Sequence, residues 1–225
     1  MNFKLIINIL KYIFLLLVSL GRLSFLSKLN NHILYKGKCK LKVRFSTYSA
    51  DNNLCIEKKV KGSLKIKISG NNNTVRVGEK CVFDNLKIRI VGDNNKIIFG
   101  EGTSFGRNGS INLTELVPNE SRGRSIIIGD NCMVSYDVDI RNSDGHPIYS
   151  LDNEKIIINQ NDNIDIANNV WIGARAMILK GSNVNENSVI GACSLVRGTV
   201  ESNSIYAGIP AKKIKSNIFW KKYHA

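Results

Sequence analysis

The chain has 225 residues, enough for one or two domains, and its 32 Lys and Arg against 18 Asp and Glu leave a net charge of +14. Such a balance predicts attraction to polyanions, but the basic residues are spread along the chain and carry no signature of a nucleic-acid-binding module, so nucleic acid is set aside. Five cysteines (Cys39, Cys55, Cys81, Cys132, Cys193) are odd in number and lack C-x-x-C spacing, which argues against a disulfide framework or zinc ribbon and for reduced, packed thiols in a reducing cytosol.

Residues 3–20, FKLIINILKYIFLLLVSL, are nearly all apolar at helical spacing. A secretory signal needs a small-residue cleavage site, and the region around Gly21 offers a poor one. A membrane span carries Lys11 near its middle at a cost. A helix lying on a membrane, or docked on the protein, tolerates the polar positions. Arg22, Lys28, Lys36, Lys38 and Lys40 follow, and suit an anionic cytoplasmic leaflet or a plain solvated surface. The segment 1–35 is therefore read as a hydrophobic N-terminal helix, and the location as cytoplasmic, at the inner face of the membrane.

Lys40 to Glu57 reads as an irregular first coil that caps a stack. Then SGNNNTVRVGEKCVF (69–83) returns as VGDNNKIIFGEGTSF (91–105), offset by 22 residues. Each unit is strand, Gly-Asn-Asn turn, strand and Gly turn, so the period predicts stacked coils. Asn tolerates left-handed backbone angles and can bond along a stack, so the Asn-rich corners need no catalytic explanation. Residues 107–127, with Pro118, Arg122 and Arg124, read as a loop that leaves and returns.

Coils resume at Ile128, Val134 and Ile140, and the pattern then fails. His146 falls one stride after Ile140, where an aliphatic residue is due, and phase returns only at Ile164 to Ile166. A break in a solenoid marks an insertion on its working face. From Ile164 to Pro210 aliphatic residues recur at every sixth position: Ile166, Ile172, Ile178, Val184, Ile190, Val196. That stride fits neither a helix nor a lone strand. It fits flat sides of a coil, each with one inward aliphatic residue. The tail 211–225, AKKIKSNIFWKKYHA, reads as a basic cap, helical in part, packing Ile214, Ile218 and Phe219 on the last coil.

VWIGARAMILKG, NSVIGACSLV and YAGIPAKKIK together resemble the hexapeptide-repeat acyltransferases, specifically over about 128–215. The resemblance implies an all-β, left-handed parallel β-helix over 36–210, acetyl-CoA as co-substrate, and a homotrimer with grooves between subunits. The left hand comes only from the resemblance, since the general rule for parallel crossovers favours the right.

The chain has three His, and His32 and His224 lie near its ends, so a three-His zinc site fails on count and placement and no metal is expected. His146, in S-D-G-H-P, matches the position of the family's catalytic base. Imidazole can take a hydroxyl proton near neutral pH. Asp144 is either its orienting carboxylate or a turn residue beside Gly145. The resemblance puts Trp171, Gly173, Ala174 and Ala192 along the pantetheine groove, Arg197 beside it, and Lys212 and Lys213 against nucleotide phosphates. Relatives often have His where Asn169 stands and Gly where Cys193 stands. No Cys has a neighbouring base, so direct transfer is expected.

The expected activity is O-acetylation of a sugar or surface polysaccharide. An amino-sugar N-acetyltransferase, a serine acetyltransferase, or a non-catalytic β-helix scaffold would share the coils.

Overall fold

In the computed structural model, residues 30–47, 49–116 and 123–222 are described. The apolar run 3–20, Pro118, Arg122 and His224 lie outside them. Among the described residues the strands from Asn53–Ile56 to Ser204–Gly208 stack coil upon coil, and no helix is present.

The stack has three faces. The first is an eight-stranded sheet that starts at His32–Tyr35 and climbs through Asn53–Ile56, Thr74–Val77, Lys96–Phe99, Ser125–Ile128, Ile164–Ile166 and Asn183–Val184 to Thr199–Val200. The second runs from the start of Lys61–Ser69 through the start of Val82–Val91, Ser104–Phe105, Met133–Val134, Trp171–Ile172 and Val189–Ile190 to Ser204–Gly208. The third runs from Lys40–Phe45 through Lys61–Ser69, the rest of Val82–Val91, Ser110–Thr114, Asp139–Arg141 and Met177–Leu179 to Leu195–Val196. Val82–Val91 turns the corner between second and third faces, at Asn85, whose φ is 63°. All these pairings are parallel.

The inward residues are those that the stride selects. Ile166, Ile172, Ile178, Val184, Ile190 and Val196 are all buried, as are Ile128, Val134 and Ile140. In the longer lower coils Phe83, Phe99 and Phe105 fill the core in edge-to-face and tilted pairs, with centroids 5.2–6.2 Å apart. The 22-residue repeat is a true register, with Val75 opposite Ile97, Val77 opposite Phe99 and Phe83 opposite Phe105.

The Asn-rich corner between third and first faces is a buried ladder. Asn52 Nδ2 donates to Asn31 Oδ1, and Asn73 Nδ2 to Asn52 Oδ1. Asn73 Oδ1 accepts from the Asn95 backbone N–H, and Asn95 Oδ1 from that of Arg124. Each amide thus satisfies backbone groups that a buried corner would otherwise orphan.

Two expectations are corrected. The coil begins at His32, inside the stretch assigned to the N-terminal helix, and Lys40 to Glu57 forms regular strands. The tail is a strand, not a helix: Ala211–Ser216 pairs antiparallel with Ser204–Gly208, and the Ile209–Pro210 peptide between them is cis. The open edge of Ser204–Gly208 supplies backbone partners that a helix could not use. Ile214 and Phe219 consequently face solvent. Beyond Ser216 the chain doubles back along the corner between first and second faces. There Trp220 Nε1 donates to the Asn169 carbonyl, and Lys222 Nζ to that of Gly102.

Candidate active site

Both departures from the coil, after Ser110–Thr114 and after Asp139–Arg141, leave from the corner between third and first faces. The second carries His146. Its base is pinned by Asn142, whose Oδ1 accepts the Thr114 N–H, and by Asn161, whose Nδ2 donates to the Thr114 carbonyl. Its arm is a small antiparallel hairpin with Tyr149 opposite Ile157. Ile158 N–H donates to the Ile148 carbonyl.

Asn159 ties arm to base. Its Oδ1 accepts the Ile148 N–H, and its Nδ2 donates to the His146 carbonyl and to Asp144 Oδ2. Lys180, at the end of Met177–Leu179, completes the set. Its Nζ lies 2.6 Å from Asp144 Oδ2 and 2.7 Å from the Asn159 carbonyl. Its side chain is 11% exposed, against 44% for Asp144. Burial alone would raise the Asp144 pKa, but the Lys180 and Asn159 hydrogen bonds, with the Lys180 and Arg197 charges, outweigh it and hold the carboxyl below its usual range.

Asp144, Ile148, Ile158, Asn159, Gln160, Leu179, Lys180 and Arg197 line a cleft of about 290 Å³. His146 is exposed beside it. Asp144 Oδ2 is the atom that both Lys180 and Asn159 engage, and no hydrogen bond joins Asp144 to the His146 ring in this structure. These contacts tie the base of the insertion to the end of Met177–Leu179.

A second group of expected residues gathers at the corner between second and third faces. Trp171–Ile172, Val189–Ile190 and Ile205–Tyr206 lie in register in successive coils, so Gly173–Ala174, Gly191–Ala192 and Ala207–Gly208 stack above one another. A Cβ on Gly173 would lie 2.6 Å from the Ala192 nitrogen. The glycine thus lets successive coils pack closely at this corner. Ala192 and Cys193 are exposed, and the Cys193 N–H donates to the Ala174 carbonyl. Trp171 is partly covered by Trp220, with ring centroids 5.9 Å apart.

Arg197 does not join this group, since it stands in the cleft with Asp144. Lys212 and Lys213 lie on the tail strand opposite Ala207 and Tyr206. Lys212 is exposed, whereas Lys213 pairs with Glu201 at 2.8 Å. Asn169 is a corner residue with φ 53°, whose Nδ2 donates to Asn187 Oδ1. Cys39, Cys81 and Cys132 are buried free thiols, and burial pushes Cys81 up to about 11. Among the described residues no cluster of His, Cys, Asp and Glu is arranged to hold a metal.

No protein-family model matches the chain. A polysialic acid O-acetyltransferase of Neisseria meningitidis is 32% identical over 166 residues, covering 72% of this chain and 73% of that protein. The chain belongs to the hexapeptide-repeat O-acetyltransferase family. A polysialic acid O-acetyltransferase of Escherichia coli O1:K1 is 38% identical over 98 residues, so the match spans only 32% of that longer protein. Among solved structures, the polySia-specific acetyltransferase NeuO covers 87% of this chain and 78% of its own, with a TM-score of 0.72 and 32% identity. The polysialic acid O-acetyltransferase OatWY covers 86% of this chain and 93% of its own, with a TM-score of 0.70 and 28% identity.

Proposed function

We propose that the chain moves an acetyl group from acetyl-CoA to a hydroxyl of a sugar or polysaccharide, with His146 as general base. The observation that carries this is the placement of His146. It stands exposed on the stretch where the upper coil breaks, between Asp144 and Ile148, which line the cleft together with Lys180 and Arg197. The family membership supplies the reaction class, and the left hand of the coil goes with it.

In this reading the imidazole takes the hydroxyl proton as the oxygen attacks the thioester carbonyl. The tetrahedral intermediate collapses, the carbon–sulfur bond breaks, and CoA leaves as a thiol with the proton that the imidazolium returns. No acyl-enzyme is needed in this direct transfer. Trp171, Ala174 and Ala192 hold the pantetheine arm, and Lys212 and Lys213 meet the phosphates. Arg197 faces the acceptor side of the cleft.

His146 and the Trp171 corner flank opposite edges of the third face, so one chain does not bring them together. A homotrimer, with His146 of one subunit against Trp171 of the next, resolves this. It is supported by the hairpin, whose Ile148, Tyr149, Leu151, Ile156 and Ile158 are exposed although apolar. The reaction is placed in the cytosol, and contact with its membrane is assigned to residues 3–20. Among the described residues no helix is long and apolar enough to cross a membrane.

The test is acetyl transfer to polysialic acid by His146→Ala, read as thiol release, with acetyl-CoA binding measured alongside. A rate loss of about 100-fold or more with binding intact is expected. Full activity in that variant would remove His146 from the mechanism.

A further inference from the structure

The third face carries two unbroken rows of cations below the cleft. Lys42, Lys65 and Lys87 are register partners in successive coils, and so are Arg44, Lys67 and Arg89. All six are exposed, while Val43, Ile66 and Ile88 between the rows point into the core. Coils repeat at about 4.8 Å, so like charges stand closer than the screening length of physiological salt. Among the described residues none of the six forms a salt bridge. The nearest acid along the rows is Asp139, and Arg141, Ser110 and Asn112 occupy its carboxylate. A protein gains nothing in stability from stacking like charges in this way.

We propose that this face is the docking track for the acceptor, a carboxylate-bearing polysaccharide chain that runs from the cleft toward the first coil. The inference deepens the acetyl-transfer reading and rests on it. The rows lead to the site: Arg89 is opposite Asn112, Asn112 opposite Arg141, and Arg141 opposite Leu179, which lines the cleft. From Leu179 to Arg44 the track is about 24 Å long, five coil steps. Its lower part, from Arg44 to Asn112, is a groove of about 430 Å³ without an aromatic lining residue. A single-stranded nucleic acid would want stacking platforms. A saccharide polyanion needs regularly spaced cations, which the two rows supply.

The test replaces all six (Lys42, Arg44, Lys65, Lys67, Lys87, Arg89) with Thr, a residue suited to strand surfaces. Anisotropy of labelled polysialic acid reads binding, with neutral dextran and duplex DNA as comparisons. The wild type is expected to bind polysialic acid, more weakly as salt rises, and to ignore dextran. The variant should bind at least about tenfold more weakly. Its KM for the polymer should rise in step, while its KM for acetyl-CoA and its rate with a short acceptor stay unchanged. Equal polymer affinity in the variant overturns the proposal, as does preference of the wild type for duplex DNA. If the six-fold variant fails to fold, Lys65→Thr with Lys67→Thr asks the same question at the centre of the track. Polymer binding through the rows without any acetyl transfer would sink the reaction and leave the docking track. Transfer to a short acceptor with binding indifferent to the rows would do the reverse.

Discussion

Lys180 holds Asp144 across 36 residues of sequence, with Nζ 2.6 Å from Oδ2. The pair joins the end of Met177–Leu179 to the loop that carries His146, so the position of the candidate base depends on an ion pair at the rim of the cleft. Asp144 is too exposed for the pair to add more than about 1 kcal/mol to global stability. Its effect is local.

Lys180→Met should therefore leave the melting temperature nearly unchanged and free the insertion. Amide exchange at Ile148 and Ile158 should quicken, and acetyl transfer should fall while acetyl-CoA binding holds. The pH dependence follows from the depressed Asp144 carboxyl. Its contribution is complete above the ordinary carboxylate value, near 3.9, and is lost as pH falls through the lower folded value. Exchange protection in wild type should thus stay flat from neutral pH to about 4 and drop below that. Protection that fades well above pH 4 would mean another group holds the loop.

Gly173→Ala separates packing from ligand approach. The new Cβ meets backbone of the next coil at 2.6–2.8 Å, which cannot yield cheaply. We expect a loss of about 1–3 kcal/mol without any ligand present, seen as a melting point lower by several degrees. A stable variant that merely loses acetyl-CoA affinity would return Gly173 to the ligand groove.

Asn73→Ala should be costly although it touches no site. It removes two buried hydrogen bonds from Nδ2, to Asn52 Oδ1 and to the Gly92 carbonyl, and strips the Asn95 N–H of its acceptor. Each orphaned buried group costs roughly 1–3 kcal/mol, so denaturant unfolding should show a loss of at least about 2 kcal/mol.

The two lysines expected at the nucleotide phosphates should not count equally. Glu201 engages Lys213 and raises its pKa, chiefly through their hydrogen bond, while Lys212 is unpaired among the described residues. Calorimetry should find Lys212→Ala more harmful to acetyl-CoA binding than Lys213→Ala, and Glu201→Gln should improve affinity. The opposite order would place the phosphates nearer Glu201.

The upper coils were legible because one short stride selects Ile166 through Val196 without exception, and each points inward. The Asn corners were legible as structure for the same reason of periodicity. What the sequence hides is lateral. Lys180 and Asn159 meet Asp144 only because the insertion folds back on its own base, and no spacing announces that. Arg197 looks like a neighbour of the Trp171 segment in sequence, yet it lies across the third face from it. The basic rows were the missed signal that could have been found: KLKVRF, LKIKI and LKIRI repeat one alternation at the spacing of a coil. Taken singly, those lysines looked scattered. The tail misled because its apolar residues suggested a cap over the core, whereas an open strand edge recruited its backbone.

That antiparallel tail strand has a consequence for how the molecule lives in a crowded solution. A parallel coil has no natural end, and its last turn offers the same backbone to any passing strand that it would offer to a further turn of its own. Here the longest strand of the final coil, Ser204–Gly208, is already occupied by Ala211–Ser216, whose lysines add charge along the rim. The other strands of that rim, Leu195–Val196 and Thr199–Val200, are too short to seed much. The stack is thus stopped against end-to-end fibre growth by a few residues of its own chain.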